Sequence, residues 1–191
     1  MAIVKYTEKE RNLLARLMRA EAVGEGNLGM LMVGNVAVNR ALANCLIFKD
    51  ITNADIKALA KLYVETFNAA PWNEEWTQET AEKRLYQMIN VESFYGFGVY
   101  SDEELSGLIL GCFEQYYDGV NFYLREFCVK NSLRGQGLGT EILNTFEQKL
   151  SDMNIKEIYL NTTKNSSAER FYNKQSYNTH EHLTLMVKQF N

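Results

Sequence analysis

Val129-Lys130-Asn131-Ser132-Leu133-Arg134-Gly135-Gln136-Gly137-Leu138-Gly139-Thr140-Glu141 reads as the end of an apolar strand that turns through a glycine-rich loop into a helix. Gly135, Gly137 and Gly139 let the backbone approach a ligand closely. The unpaired N–H groups of the first helical turn, at the positive end of the helix dipole, hold an anion. Strand, loop and helix in this order build a pyrophosphate cradle. Two common cradles fail on spacing. A P-loop needs Gly-Lys before its Ser or Thr, and Gly139 is followed directly by Thr140. The dinucleotide fingerprint needs G-x-G-x-x-G closing an early βαβ unit, but these glycines fall at every second position and no such unit precedes them. R-x-x-G-x-G, filled by Arg134, Gly137 and Gly139, is the pattern that fits.

Outward from the loop, hydrophobic periodicity orders the chain. Before it stand three strand candidates, Phe94 to Tyr100, Leu105 to Glu114 and Asn121 to Lys130, joined by polar turns that suit antiparallel hairpins. Two helices precede these. One carries Ile56, Leu59, Ala60, Tyr63 and Phe67 on one face behind a cap at Thr52 or Asn53, and the other runs from a Thr77 cap to Asn90. Between them lies Ala70-Pro71-Trp72-Asn73-Glu74-Glu75-Trp76, and ahead of them the short apolar run Cys45-Leu46-Ile47-Phe48 is strand-like. After the loop, Ile142, Leu143, Phe146 and Leu150 predict a helix, Ile155 to Leu160 a strand, Ala168 to Lys174 a helix and Leu183 to Val187 a last strand. The order β-α-α-β-β-β-α-β-α-β is that of an α/β protein with a mixed, mostly antiparallel central sheet flanked by helices.

Composition agrees with one packed domain and an appendage: 191 residues, 46% apolar, with a net charge of −4 that gives no basic footprint for nucleic acid or a membrane surface. Cys45, Cys112 and Cys128 are widely spaced, and the two histidines, His180 and His182, stand apart from them, so neither a metal site nor a disulfide framework is expected. With Lys5, Glu8, Lys9, Glu10 and Arg11 near the start and no apolar run of about 20 residues, the expected compartment is the cytoplasm.

The loop and this element order together resemble the GNAT superfamily of N-acetyltransferases over residues 46 to 190. A second motif agrees, since Asn165-Ser166-Ser167-Ala168-Glu169-Arg170-Phe171-Tyr172 resembles the family's N-x-x-A-x-x-F-Y helix. The resemblance implies acetyl-coenzyme A as cosubstrate, without a metal, and a small-molecule or peptide amine as acceptor. It implies that the backbone from Arg134 through Gly135, Gln136, Gly137, Leu138 and Gly139 to Thr140 holds the pyrophosphate. Phe127, Cys128 and Val129 would pair through their backbone with the pantetheine arm, Asn165 would hydrogen-bond the cofactor, and Tyr172 would protonate the leaving thiolate. Attack requires a neutral amine, so a base must take its proton; Glu126, on the strand just before the cofactor-pairing residues, is the candidate, with an ion pair to neighbouring Arg125 as the alternative. Cys128 reads as a packed apolar residue, with its own or the Val129 N–H as oxyanion donor. Trp72, Glu74, Glu75 and Trp76 combine aromatic faces with carboxylates suited to a cationic amine, and Tyr116, Tyr117 and Asp118 form a similar cluster. One position departs from the family pattern: Ser176 stands where a glycine is common, at a turn into the last hairpin.

Residues 5 to 50 follow another pattern. Leu14-Ala15-Arg16-Leu17-Met18-Arg19-Ala20-Glu21-Ala22-Val23-Gly24-Glu25-Gly26 and Gly34-Asn35-Val36-Ala37-Val38-Asn39-Arg40 resemble the start of spore cortex-lytic cell-wall hydrolases, in which the residue matching Glu21 is the catalytic acid. The periodicity predicts a helical hairpin, whose apolar residues are available to pack on the acetyltransferase or on a second copy of the chain in a homodimer. The rest of a hydrolase cleft is absent, which makes a truncated remnant the simplest reading. The expected division is a hydrolase-like segment over 1–50 and an acetyltransferase domain over 51–191, its first strand supplied by 45–50. A remnant cell-wall hydrolase using Glu21 and a non-catalytic acyl-coenzyme A binding protein are the competing functions.

Overall fold

The structure, a computed structural model, describes residues 46–101 and 103–190. The expected N-terminal hairpin and Glu21 lie outside the described residues. The chain divides into two units, one ending at Tyr159 and the other beginning at Leu160.

β1 (Ile47–Asp50), β2 (Phe94–Ser101), β3 (Glu104–Tyr116) and β4 (Gly119–Val129), with β5 (Glu157–Leu160), all of which but Leu160 belongs to the first unit, form one sheet in the order β1-β2-β3-β4-β5. The first three pairings are antiparallel, from Phe48↔Val99 through Phe97↔Ile109 to Leu108↔Cys128. Lys156 N donates to Val120 O at 2.9 Å, and Tyr159 stacks on Tyr123 with ring centroids 4.8 Å apart, so β5 runs beside the first half of β4.

Helices cover both faces. α1 (Ile56–Phe67) and α2 (Gln78–Ile89) bury Leu59, Ala60, Leu62, Tyr63, Ala81, Leu85 and Met88 with Leu108, Leu110 and Cys128 of the sheet. α3 (Leu138–Asp152) buries Ile142, Leu143, Phe146 and Leu150 at helical spacing on the other face, where the Phe146 ring lies 5.4 Å from that of Phe122. The helix starts are set locally. Thr52 N and Oγ1 both donate to Asp55 Oδ2, at 2.8 and 2.7 Å, around a single 3-10 turn that leads into α1. Thr77 Oγ1 accepts from Thr80 N at 3.1 Å to cap α2.

The second unit holds α4 (Ser167–Lys174), capped by Ser166 Oγ, which accepts from Glu169 N at 3.1 Å. The strand expected at Leu183–Val187 is not formed. A strand needs a partner for its backbone, and this stretch pairs with none among the described residues; Met186 is 88% exposed. The turn before it does need a left-handed residue: Ser176 adopts φ 67°, which glycine accepts and serine resists.

Candidate active site

A bulge in β4 creates the centre of the site. The register steps from Leu110↔Glu126 to Gly111↔Leu124 and leaves Arg125 as the extra residue. In an uninterrupted strand Glu126 would share a face with Phe122, which packs against Phe146 of α3. The bulge turns Glu126 to the opposite face, where Tyr63 and Arg84 meet it. Gly111 is required there, since a Cβ would lie 2.0 Å from Tyr123 O.

Glu126 is 8% exposed. Its Oε1 accepts from Arg84 Nε at 2.9 Å, from Arg84 Nη2 at 2.5 Å and from the Tyr63 hydroxyl at 3.3 Å, while Oε2 accepts no hydrogen bond among the described residues. Burial pushes the carboxyl above the ordinary glutamate range, against the opposing pull of Arg84 and Tyr63. Burial also acts to lower the Arg84 pKa, but Glu126 outweighs it and holds the guanidinium above its ordinary value. Burial, then Glu126, raises the Tyr63 hydroxyl as well, so it stays a donor. The partner of Glu126 is therefore Arg84 of α2, in place of the sequence neighbour Arg125, whose guanidinium lies 5.9 Å from the Tyr123 ring centroid.

The α1–α2 turn closes over this cluster. Asn68 accepts from Trp76 N at 2.9 Å and donates to Trp76 O at 2.8 Å, tying the two ends of the turn together, and Ala70–Pro71 within it is cis. Trp76 sets its ring edge-on to Tyr63 with centroids 5.2 Å apart, and its indole N–H donates to Glu74. The Arg84 guanidinium lies 5.5 Å from the Trp76 ring centroid, and that of Arg134 lies 4.4 Å from the Trp72 ring centroid. Trp72 and Trp76 are thus half-buried in one turn, Trp72 against Phe67 and Trp76 against Tyr63, while Glu74 and Glu75 are both exposed.

The cradle follows directly from β4. Gly135 and Gly137 adopt φ 72° and 86°, in the left-handed region that glycine favours. Gly137 occupies the cap position of α3 and, lacking a side chain, leaves the helix uncapped. The N–H groups from Gly135 to Gly139 donate to nothing within the described residues. A Cβ built on Gly135 would meet nothing within 4 Å, so the space over the loop is open. Uncapped donors, an open approach and the positive end of a 15-residue helix suit a pyrophosphate. The Arg134 side chain turns away from these donors, donating to Thr66 O and Ala70 O at 3.4 Å each. Gln136 donates to Ser132 O at 3.0 Å and closes the loop on itself.

Phe127, Cys128 and Val129 lie on β4 opposite Ile109, Leu108 and Gly107. Burial pushes the Cys128 thiol up to about 12, so it stays protonated near neutral pH, as expected of a packed residue. In the second unit Asn165 adopts φ 60° just before α4, and the Tyr172 ring packs against Phe171 and Tyr177 at 5.3 and 5.4 Å. Tyr159, in the first unit, donates to Glu114; Tyr117 of the second aromatic cluster is 98% exposed, and Asp118 pairs with Lys156. Arg84 and Tyr63 were missed by the sequence reading: Arg84 carries no motif, and Tyr63 counts simply as one residue of an apolar helix face. Among the described residues no helix is long and apolar enough to cross a membrane.

A mostly antiparallel sheet with helices on both faces, running from its fourth strand into an uncapped helix start, places the chain in the α/β class. The chain belongs to the acetyltransferase (GNAT) family, whose model matches residues 56–177. Solved structures agree in fold. A GNAT family acetyltransferase from Staphylococcus aureus is 18% identical with a TM-score of 0.59, over 76% of this chain and 99% of that one. A possible acetyltransferase from Clostridium difficile is 14% identical with a TM-score of 0.66, over 77% and 99%. An aminoglycoside acetyltransferase from an uncultured soil metagenomic sample, in complex with sisomicin, is 16% identical with a TM-score of 0.59, over 78% and 99%. The N-terminal stretch of about fifty residues is similar to a different protein. Cell wall hydrolase CwlJ of Oceanobacillus iheyensis is 65% identical over 51 residues, 27% of this chain and 36% of that one, and its Bacillus subtilis counterpart is 57% identical over the same shares. The chain spans about a third of the length of these hydrolases.

Proposed function

We propose that this chain is an N-acetyltransferase that moves an acetyl group from acetyl-coenzyme A to a primary amine of a small molecule or peptide, by direct transfer with both bound. The observation that carries the reading is β4 itself, which bears buried Glu126 at its bulge and runs straight into the uncapped start of α3. Acetyl-coenzyme A supplies the acetyl group as a thioester. Backbone N–H groups from Arg134 to Thr140 hold its pyrophosphate, the main chain of Phe127, Cys128 and Val129 lies along its pantetheine arm, and Asn165 hydrogen-bonds it. Glu126 takes the proton of the attacking ammonium, and burial, by raising its pKa, makes it a stronger base than an exposed carboxylate. As the N–C bond forms and the C–S bond breaks, the N–H of Cys128 or Val129 steadies the carbonyl oxygen, Tyr172 gives its proton to the sulfur, and the second proton lost by the nitrogen returns to the Tyr172 oxygen.

The acceptor approaches by the α1–α2 turn, against Trp72, Glu74, Glu75 and Trp76. Both indole rings already have an arginine beside them, so Glu74, Glu75 and Glu126 carry most of the recognition of an amine. The aminoglycoside acetyltransferase among the structural neighbours is an example of such an acceptor class in this fold. Ligand at about 100 times its dissociation constant adds about 2.7 kcal/mol of stability. Acetyl-coenzyme A is therefore expected to raise the melting temperature, and a panel of amines to release free thiol in its presence. No thermal shift at saturating acetyl-coenzyme A would sink the reading. Binding without thiol release across the panel, unchanged in Tyr172→Phe, would favour an acyl-coenzyme A binding protein instead.

A further inference from the structure

We propose that Arg134 is a positioning residue, whose side chain clamps the acceptor-side turn at Trp72 to the cofactor loop and so couples that turn to whatever the loop's backbone holds. This rests on the reading that the loop holds coenzyme A. The case begins with the C-terminus of α1. A helix leaves its last four carbonyls without partners inside the helix. Here Val64 O takes Asn68 N at 3.0 Å and Phe67 O takes Glu74 N at 3.0 Å, both from the turn itself. The other two are served by the cofactor loop: Glu65 O accepts from Asn131 Nδ2 at 2.7 Å, and Thr66 O from Arg134 Nη2 at 3.4 Å.

Arg134 does more than fill a carbonyl. Its other terminal nitrogen reaches Ala70 O at 3.4 Å, and the guanidinium lies 4.4 Å from the centroid of the Trp72 ring. A positive group at a helix C-terminus also meets the negative end of the dipole. A side chain swung out to a phosphate would abandon all of these contacts, whereas the N–H groups from Gly135 to Gly139 stand available for the anion. The backbone of the loop therefore binds, and the Arg134 side chain holds the turn.

The contacts continue inward. The Trp72 ring stands edge-on to Phe67 at 5.5 Å, Phe67 lies 4.4 Å from Tyr63, and the Tyr63 hydroxyl donates to Glu126. Continuity alone does not establish coupling, so the test must read the turn while the loop is filled. Trp72 and Trp76 are the chain's two tryptophans, and Trp76→Phe leaves Trp72 as the sole indole reporter.

In that background, coenzyme A is titrated with tryptophan emission and calorimetry read on the same samples. The expected result is a saturable change in Trp72 emission whose midpoint matches the calorimetric dissociation constant. Arg134→Ala is expected to abolish the emission change while weakening coenzyme A by no more than about threefold. Arg134→Lys, which keeps the charge but loses the planar fork, is expected to behave as the alanine variant does, and it carries the test if alanine does not fold. Coenzyme A binding with no Trp72 response, or a response that persists in both variants, overturns the proposal. So does a loss beyond about tenfold in Arg134→Ala that lysine restores, which makes the side chain a phosphate contact. No coenzyme A binding by the unsubstituted protein overturns the cofactor reading and this proposal with it.

Discussion

Glu126, the base of the proposed reaction, is a carboxylate on which two forces oppose each other. Burial raises its pKa, and Arg84, with the Tyr63 hydroxyl, pulls it back. A base works only when deprotonated, so acetylation of an acceptor amine is expected to fall as pH drops through a pKa above the ordinary carboxylate range. Arg84→Met removes the lowering influence, which moves that acidic limb to higher pH. Glu126→Gln is expected to erase the limb and to lower kcat by about 10²-fold or more. Thiol release followed against pH separates these outcomes, and an acidic limb that survives in Glu126→Gln assigns the base elsewhere. Glu126 was legible in the sequence because it sits a few residues before a recognisable motif. Arg84 was not, since its link to Glu126 spans 42 residues and depends on a bulge that no local pattern announces.

At the scale of elements, the helix and strand boundaries followed from periodicity and caps, and they came within a few residues of the structure wherever the element packs on the sheet. Leu183–Val187 fails for a physical reason, because alternation and β-branched residues describe a surface that fits a sheet, and only a neighbouring edge makes it a strand. The glycine loop ahead of α3 was legible because Arg134, Gly137 and Gly139 keep a definite spacing before a helix, and the structure shows Gly135 and Gly137 at positive φ there. Its geometry supplies a further test. Gly137 holds φ 86° at the cap of α3, where a Cβ costs roughly 1–2 kcal/mol. Gly137→Ala is therefore expected to lower stability by about that amount in urea unfolding and, by straining the loop that presents the N–H donors, to weaken coenzyme A at least about tenfold. Destabilisation with unchanged coenzyme A affinity would remove Gly137 from the cradle.

The whole chain resembles two families, cell-wall hydrolases over its first fifty or so residues and the acetyltransferases from residue 56 onward. Ile47–Asp50 precedes the family match, which begins at residue 56, and belongs to the stretch that resembles cell-wall hydrolases. Yet it pairs along β2, with Phe48 edge-on to Phe97 at 5.9 Å and Lys49 4.3 Å from the Tyr100 ring centroid, and it leads to Ile51, which is buried. We propose that the acetyltransferase domain runs from residue 51 and takes its first strand from residues 45–50. A chain beginning at Leu46 is then expected to melt where the full chain melts and to gain the same stabilisation from acetyl-coenzyme A. One beginning at Asn53 loses β1 and bares the β2 backbone as an open sheet edge. It also loses the Phe48–Phe97 contact, an aromatic pair worth about 0.5–1.5 kcal/mol beyond its buried area. That shorter chain is expected to melt lower and to associate as its concentration rises, seen by calorimetry and light scattering. Equal melting of the two shortened chains would show that β1 contributes nothing. A chain from Leu46 that cannot bind acetyl-coenzyme A, where the full chain can, would make the hydrolase-like residues part of the working domain.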